Sequence, residues 1–291
     1  MIASVLLVTT AGPAAPEAAD STYRAEVERW RAERETRLRA PDGWLAVVGL
    51  TWLAPGAHRF GSAPDDDVHL PAGAPAHAGT FTVAGQQVRV DVPAGSPLTI
   101  NGKPAASGVV HTDNEPAPDT FAIGSLTWQV IARGDRLGVR VRDREAAERA
   151  HLPPPRWYPV SPAWRVVARL EAHAAKTEIV VPDASGGKQT LTSPGTLTFT
   201  LAGQTLHLDP VLDGDDERDQ LVVFRDLTTG KETYGAGRFV RARRQPDGTF
   251  ELDFNRAYAP PCAVTPHATC PLPPPQNRLR VSVEAGERNR Q

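Results

Sequence analysis

Cysteine is nearly missing from this chain, with Cys262 and Cys270 the only two among 291 residues. That count excludes a multi-bridge scaffold and a four-thiolate zinc module. An excess of charge of one sign is missing too. The 32 Lys and Arg stand against 34 Asp and Glu, for a net charge of −2, so no basic field exists to recruit nucleic acid. No apolar run approaches the ~20 residues of a spanning helix. G-x-S-x-G, the P-loop, H-E-x-x-H and the Rossmann glycine signature are all absent. Nothing calls for a nucleotide cofactor, and none is expected. Proline, by contrast, is abundant, at 28 residues.

The apolar start Ile2–Thr10, followed by small residues, reads as a secretory segment with a small-residue cleavage site. Residues 1–20 are therefore set apart as a leader, with a periplasmic or secreted protein expected and a cytoplasmic one as the alternative. Ser21–Arg39 places Tyr23, Val27, Trp30 and Leu38 near one helical face. Ser21 or Thr22 is expected to cap this helix, and Pro41-Asp42-Gly43 to stop it. The helix spans 21–43 in this reading, and packs on the body or meets a protein partner.

From Trp44 the texture changes to β-branched, alternating runs cut by Gly, Pro and Asp turns. Turn signals about ten residues apart indicate sandwiches or barrels rather than βαβ units. Two β domains are expected, 44–150 and 151–291, divided near the triple proline at 153–155. Hairpins are expected at Ala84-Gly85, Gly134-Asp135 and Ala202-Gly203. The fold class is mostly β, with an N-terminal helix, a sandwich, and a second antiparallel domain closed by a proline-rich cysteine loop.

That loop, Asp253–Arg278, carries both cysteines, seven prolines, His267 and several polar residues. Cys262 and Cys270 have three readings: a short disulfide, which is the default if the chain is exported; free thiols, inert or nucleophilic; or a metal site. C-x4-H-x2-C supplies only three soft ligands, so no metal is assigned. Asp226 reads as the start of a local turn. Tyr234 and Arg238 flank two glycines, and Arg238 is a natural carboxylate or phosphate clamp. Alternation in Leu252–Tyr258 puts Asp253 and Asn255 on one face. If Arg238 opens one strand of a hairpin and Asp253 ends the next, the two converge, with Arg278 beside them. The candidate ligand-binding set is Asp226, Tyr234, Arg238, Asp253, Asn255, Arg256, Tyr258, Asn277 and Arg278.

Two resemblances add to this. Phe224, Asp226, Thr233-Tyr234-Gly235, Gly237-Arg238, Asp253–Tyr258, Pro260-Pro261-Cys262, Cys270–Pro273, Asn277-Arg278-Leu279 and Ala285-Gly286-Glu287 resemble the family catalogued as domain of unknown function 1684. The N-terminal helix and the Gly43-Trp44 to Leu53 segment extend the resemblance to nearly the whole chain. It implies no activity. Gly61, Asp65–Asp67, His77 and Asn101-Gly102 resemble, in order, the pattern of a forkhead-associated domain. Ser62 and Ala74 stand where that family places its phosphate-binding arginine and serine, so the resemblance implies the fold without phosphopeptide binding. The function expected is a binding or scaffold module with a rigid polar pocket for a small anionic or polar ligand in the C-terminal domain. A hydrolase-like enzyme, with Asp253 as general base and Arg238 stabilising charge, is the alternative.

Overall fold

In a computed structural model, residues 16–214 and 216–290 are described. The leader expected at 1–20 lies largely outside them. The first element, helix α1, spans Pro16–Arg39. It begins five residues earlier than the capping logic suggests, with Pro at its first turn, where a missing N–H costs nothing. Ser21 and Thr22 are therefore inside the helix. Tyr23, Val27, Arg31 and Leu38 are buried along one stripe, so two or three helical turns of spacing carry an arginine inward with the apolar residues.

Two sheets follow, antiparallel except where Phe60-Gly61 pairs in parallel with Val68-His69, and they share one core. The first orders its strands Val47–Leu53, Arg136–Asp143, Leu126–Arg133, Phe121–Ile123, Thr99–Ile100 and Lys103–Pro104. The second orders Val68–His69, Gly56–Gly61, Gly79–Ala84, Gln87–Asp91 and Gly108–Val110. Alternation along each strand sends Phe60, Phe81, Phe121 and Trp128 into the space between them. Their rings stack or meet edge-on, with centroids 4.5 to 5.8 Å apart, the geometry aromatic quadrupoles favour. The first hairpin turn is Gly85-Gln86, one residue later than expected.

The C-terminal unit is one six-stranded sheet in the order Gln204–Leu208, Lys188–Leu201, Arg165–Pro182, Phe250–Asp253, Arg238–Arg244, Asp219–Phe224. It curls around Phe199, Phe224, Leu252 and Phe254, and a single bridge, Val211 with Leu221, links its two ends. It is not a closed barrel. Between Ala172 and Thr177 the long strand Arg165–Pro182 carries a bulge. Leu279–Gly286, despite its alternating apolar residues, forms no strand. The reason lies in its carbonyls, because Val283 and Ala285 are bonded by the Arg238 guanidinium rather than by a neighbouring strand.

Candidate functional site

Arg238 is 1% exposed. It is held by the Asp226 carboxylate at 2.5 Å, by the Val283 carbonyl at 2.9 Å, and by the Ala285 carbonyl. Burial lowers its pKa, and Asp226 acts against that shift. The other Asp226 oxygen accepts from the Thr228 amide at 2.8 Å and hydroxyl at 2.6 Å. Gly237, just before the arginine, has φ +95°, and a Cβ there would lie 2.6 Å from the Phe224 carbonyl. The glycine is needed for close approach of backbone to backbone, not of a ligand.

Asp253 and Asn255 belong to a separate network. Tyr23 donates to Asp253 at 2.8 Å, and the Asn255 amide nitrogen donates to Tyr23 at 2.8 Å. Asn255 also bonds both the amide and the carbonyl of Ser161, at 3.0 and 2.8 Å. Arg256 faces the second Asp253 oxygen at 3.2 Å. Register explains the separation. The pairing Ala242 with Leu252 would bring Arg238 toward Arg256, but the strand ends at Asp253 and the 3-10 turn Phe254–Arg256 intervenes. Arg238 instead faces Phe224 across the other strand. The opening beside Asp253 is about 20 Å³, roughly the space of one water.

Asn277 forms a third network, accepting from the Asp209 amide at 2.7 Å and donating to the Asp209 and Val223 carbonyls. Arg278 is exposed. The convergence of Arg238, Asp253, Asn255 and Arg278 read from the hairpin is thus replaced by three sealed networks and one surface arginine.

In the proline loop, Tyr234 donates to the Cys262 carbonyl at 2.9 Å. Burial, then Cys262, raises the Tyr234 hydroxyl well above its ordinary value. The two cysteines are free thiols rather than a disulfide. They remain neighbours, because the Cys262 amide lies 3.4 Å from the Cys270 sulfur. A thiol bond from Cys270 lowers the Cys262 pKa and raises that of Cys270. Tyr258 pairs its backbone with Phe239 and lies under the Arg34 guanidinium, 4.3 Å from its ring centre.

A cleft of about 530 Å³ opens on the other side of this loop, and Tyr234 is the one candidate residue among those lining it. Its cations are Arg156, Lys231, Arg288 and Arg290, and its carboxylates are Glu232 and Glu287. Both carboxylates have internal partners. Glu287, 1% exposed, accepts from Arg34 at 3.1 Å, from the Ala259 amide at 3.1 Å and from Arg290 at 3.2 Å. Glu232 accepts from Tyr158 at 2.9 Å and faces Arg288 at 3.6 Å. Burial and that bond push Tyr158 up to about 12. Arg156 and Arg288 stand directly opposite each other in a two-stranded ladder, so their side chains leave the ribbon on the same face. The tail is tied in place by Asn289, which donates to the Glu232 carbonyl at 2.8 Å and the Lys231 carbonyl at 3.1 Å.

Sequence reasoning missed every cation of this cleft. Lys231 and Glu232 sit in the turn that Asp226 nucleates, and Arg288 and Arg290 follow the last motif, Ala285-Gly286-Glu287. The signal that was there is Gly286, φ +79°, where a Cβ would lie 2.4 Å from the Ala257 carbonyl. It brings the tail against the loop and Glu287 with it.

No curated protein matches the chain. A solution NMR structure of an uncharacterized protein from Haloarcula marismortui is 33% identical and covers 48% of this chain and 78% of that one, with a TM-score of 0.41. The family match is shorter than the nearly full length expected, since α1 and the N-terminal sandwich lie outside it. Within those bounds it takes in the Arg238 and Asn277 networks, the Asp253 network apart from Tyr23, and most of the cleft: residues 155–288 match the family described as Protein of unknown function (DUF1684).

Proposed function

We propose that the C-terminal unit binds a small polar anion, a phosphate or a compact carboxylate, in the cleft lined by Arg156, Lys231, Arg288 and Arg290. The observation that carries this reading is the lining of a 530 Å³ opening, in which Arg156, Lys231, Arg288 and Arg290 stand against Glu232 and Glu287. Glu287 is ion-paired to Arg34 and Arg290 and Glu232 to Arg288, so the lining presents more cations than carboxylates. Arginine presents a planar fork to an oxyanion, and lysine a mobile point charge. The reading favours binding over hydrolysis. Asp253, the expected general base, has no substrate-sized space beside it.

The test is calorimetric titration of the full chain with inorganic phosphate and with succinate. At low salt, one of the two should bind with a millimolar or tighter Kd. Arg288→Ala or Lys231→Ala should weaken it about tenfold, and added salt should weaken it further. Equal affinity in wild type and both variants would remove the site.

We also propose that the N-terminal sandwich is a forkhead-associated-like fold that does not bind phosphothreonine. Support comes from its local bonding. Arg59, the donor left at that edge, is taken by Asp65 at 2.7 Å and lies 3.6 Å from Asp66, while Ser62 donates to the Ala74 carbonyl.

A further inference from the structure

A second cleft, about 620 Å³, lies between the end of α1, the N-terminal sandwich and the edge of the C-terminal sheet. Its volume is that of a small-molecule site. Trp44, Phe239 and Tyr258 give it aromatic walls, and Arg34, Arg37, Arg133 and Arg241 line it with guanidinium donors, each also ion-paired to a carboxylate. That combination suits a ligand with an apolar body and an acidic end.

The stronger observation lies one layer behind the wall. Three arginines of the described chain are buried: Arg31, Arg140 and Arg238. Arg31 holds a carboxylate at 3.0 Å and Arg238 one at 2.5 Å. Arg140, 4% exposed, has no carboxylate within ion-pair distance among the described residues. It donates to the His267 carbonyl at 3.3 Å and the Thr269 hydroxyl at 3.1 Å, both neutral, and lies 5.3 Å from the centre of the Trp44 ring. Asp113, the acid of this neighbourhood, is ion-paired to Arg133 at 2.8 Å. Burial, with Arg133 and Arg142 nearby, pulls the Arg140 pKa down to about 10. A buried cation beside other cations and without a counter-ion is held at an electrostatic cost. Trp44, Arg133 and Thr269, which surround it, all line the cleft, so an anion seated there supplies the missing charge.

We propose that this inter-domain cleft binds an organic acid with an aromatic or aliphatic body. The body lies on Trp44, Phe239 and Tyr258, and the carboxylate faces Arg133 and Arg140. The inference does not rest on the anion cleft of the C-terminal unit, which is polar and lined by other cations.

The full chain is titrated calorimetrically with phenylacetate, indoleacetate and octanoate, with phenylethanol and octanol as uncharged counterparts, and with inorganic phosphate. At least one acid should bind with a Kd below about 1 mM, and its alcohol should bind at least about tenfold more weakly. Arg140→Met should weaken the acid about tenfold while leaving phosphate binding unchanged, because it removes the buried charge and keeps the volume. Arg241→Gln, on the exposed wall, serves if Arg140→Met does not fold, with a loss of about threefold or more expected for the acid. The proposal is overturned if none of the acids binds below about 5 mM. It is equally overturned if acid and alcohol bind alike, or if a folded Arg140→Met, or in its place Arg241→Gln, keeps wild-type affinity for the acid.

Discussion

A single arginine shows how a residue type that signals a ligand can serve the fold. Arg238 has the planar donor fork expected of an anion clamp, and its five-donor capacity is answered by one carboxylate and two carbonyls of its own chain. Those carbonyls belong to the segment 283–285, which has no strand partner, so the guanidinium stands in for a ladder. Arg238→Ala should therefore cost about 3–5 kcal/mol, the penalty of leaving Asp226 buried and unpaired. Urea unfolding followed by circular dichroism measures it. A double change, Arg238→Met with Asp226→Leu, should recover part of the loss, because it removes both charges. A single variant within about 1 kcal/mol of wild type would show that the pair is not what holds this segment.

At the scale of the element, α1 is a strap rather than a free helix. Tyr23 joins Asp253 and Asn255 near one end, Arg31 bonds the Tyr158 and Asn255 carbonyls, and Arg34 reaches Glu287 and the Ala259 carbonyl. Trp30 meets Trp157 and Tyr258. The helix thus packs on the body of the chain, as its apolar stripe suggests. Tyr23→Phe keeps the ring and removes the hydroxyl, leaving Asp253 short of one donor and Asn255 short of one acceptor. A loss of about 2 kcal/mol is expected, with faster proteolytic cleavage within α1 as its local signature. Unchanged cleavage together with unchanged stability would mean that the helix is held by its apolar stripe alone.

For the whole molecule, the question is what joins two separate cores, one centred on Phe60, Phe81 and Trp128 and the other on Phe224 and Phe254. One joint is ionic. Arg136, beside the Gly134-Asp135 turn of the N-terminal sandwich, donates to Asp183 at 2.7 Å in the turn of the long hairpin Arg165–Leu201. Arg136 also lies over the Trp52 ring, 4.0 Å from its centre. Burial would raise the Asp183 carboxyl, but bonds from Ser185, Gly187 and Arg136 outweigh it and hold the group below its ordinary 3.8. A depressed carboxyl stabilises the fold above its unfolded value and loses that contribution as pH falls through the folded one. Asp183→Asn should therefore lower the melting temperature near neutrality, by the equivalent of about 2 kcal/mol. The gap from wild type should close as pH falls below about 4. Melting curves of both proteins across that range test it, and a gap independent of pH would assign the loss to packing.

Alternation and turn chemistry determined the strands. In Leu197–Leu201 the inward Leu, Phe and Leu are legible because a half-buried sheet needs a period of two, and Ala202-Gly203 turns where it should because the chain there adopts positive φ. The motif residues of the C-terminal loop were legible as polar and constrained, and they are. Which of them are sealed and which line an opening was decided only by tertiary structure. Register is altered by the short 3-10 turn at 254–256, an event with no periodic signal, and it separates Arg238 from Asp253. Burial then closes each polar network with backbone groups far away in sequence, such as Ser161 on Asn255 and Val283 on Arg238. The cations lining the cleft, Arg156, Lys231, Arg288 and Arg290, come from a short ladder, a turn and the tail, which carry no pattern of their own. They meet because Gly286 lets the chain lie against Ala257, a contact between backbones that side-chain periodicity does not encode.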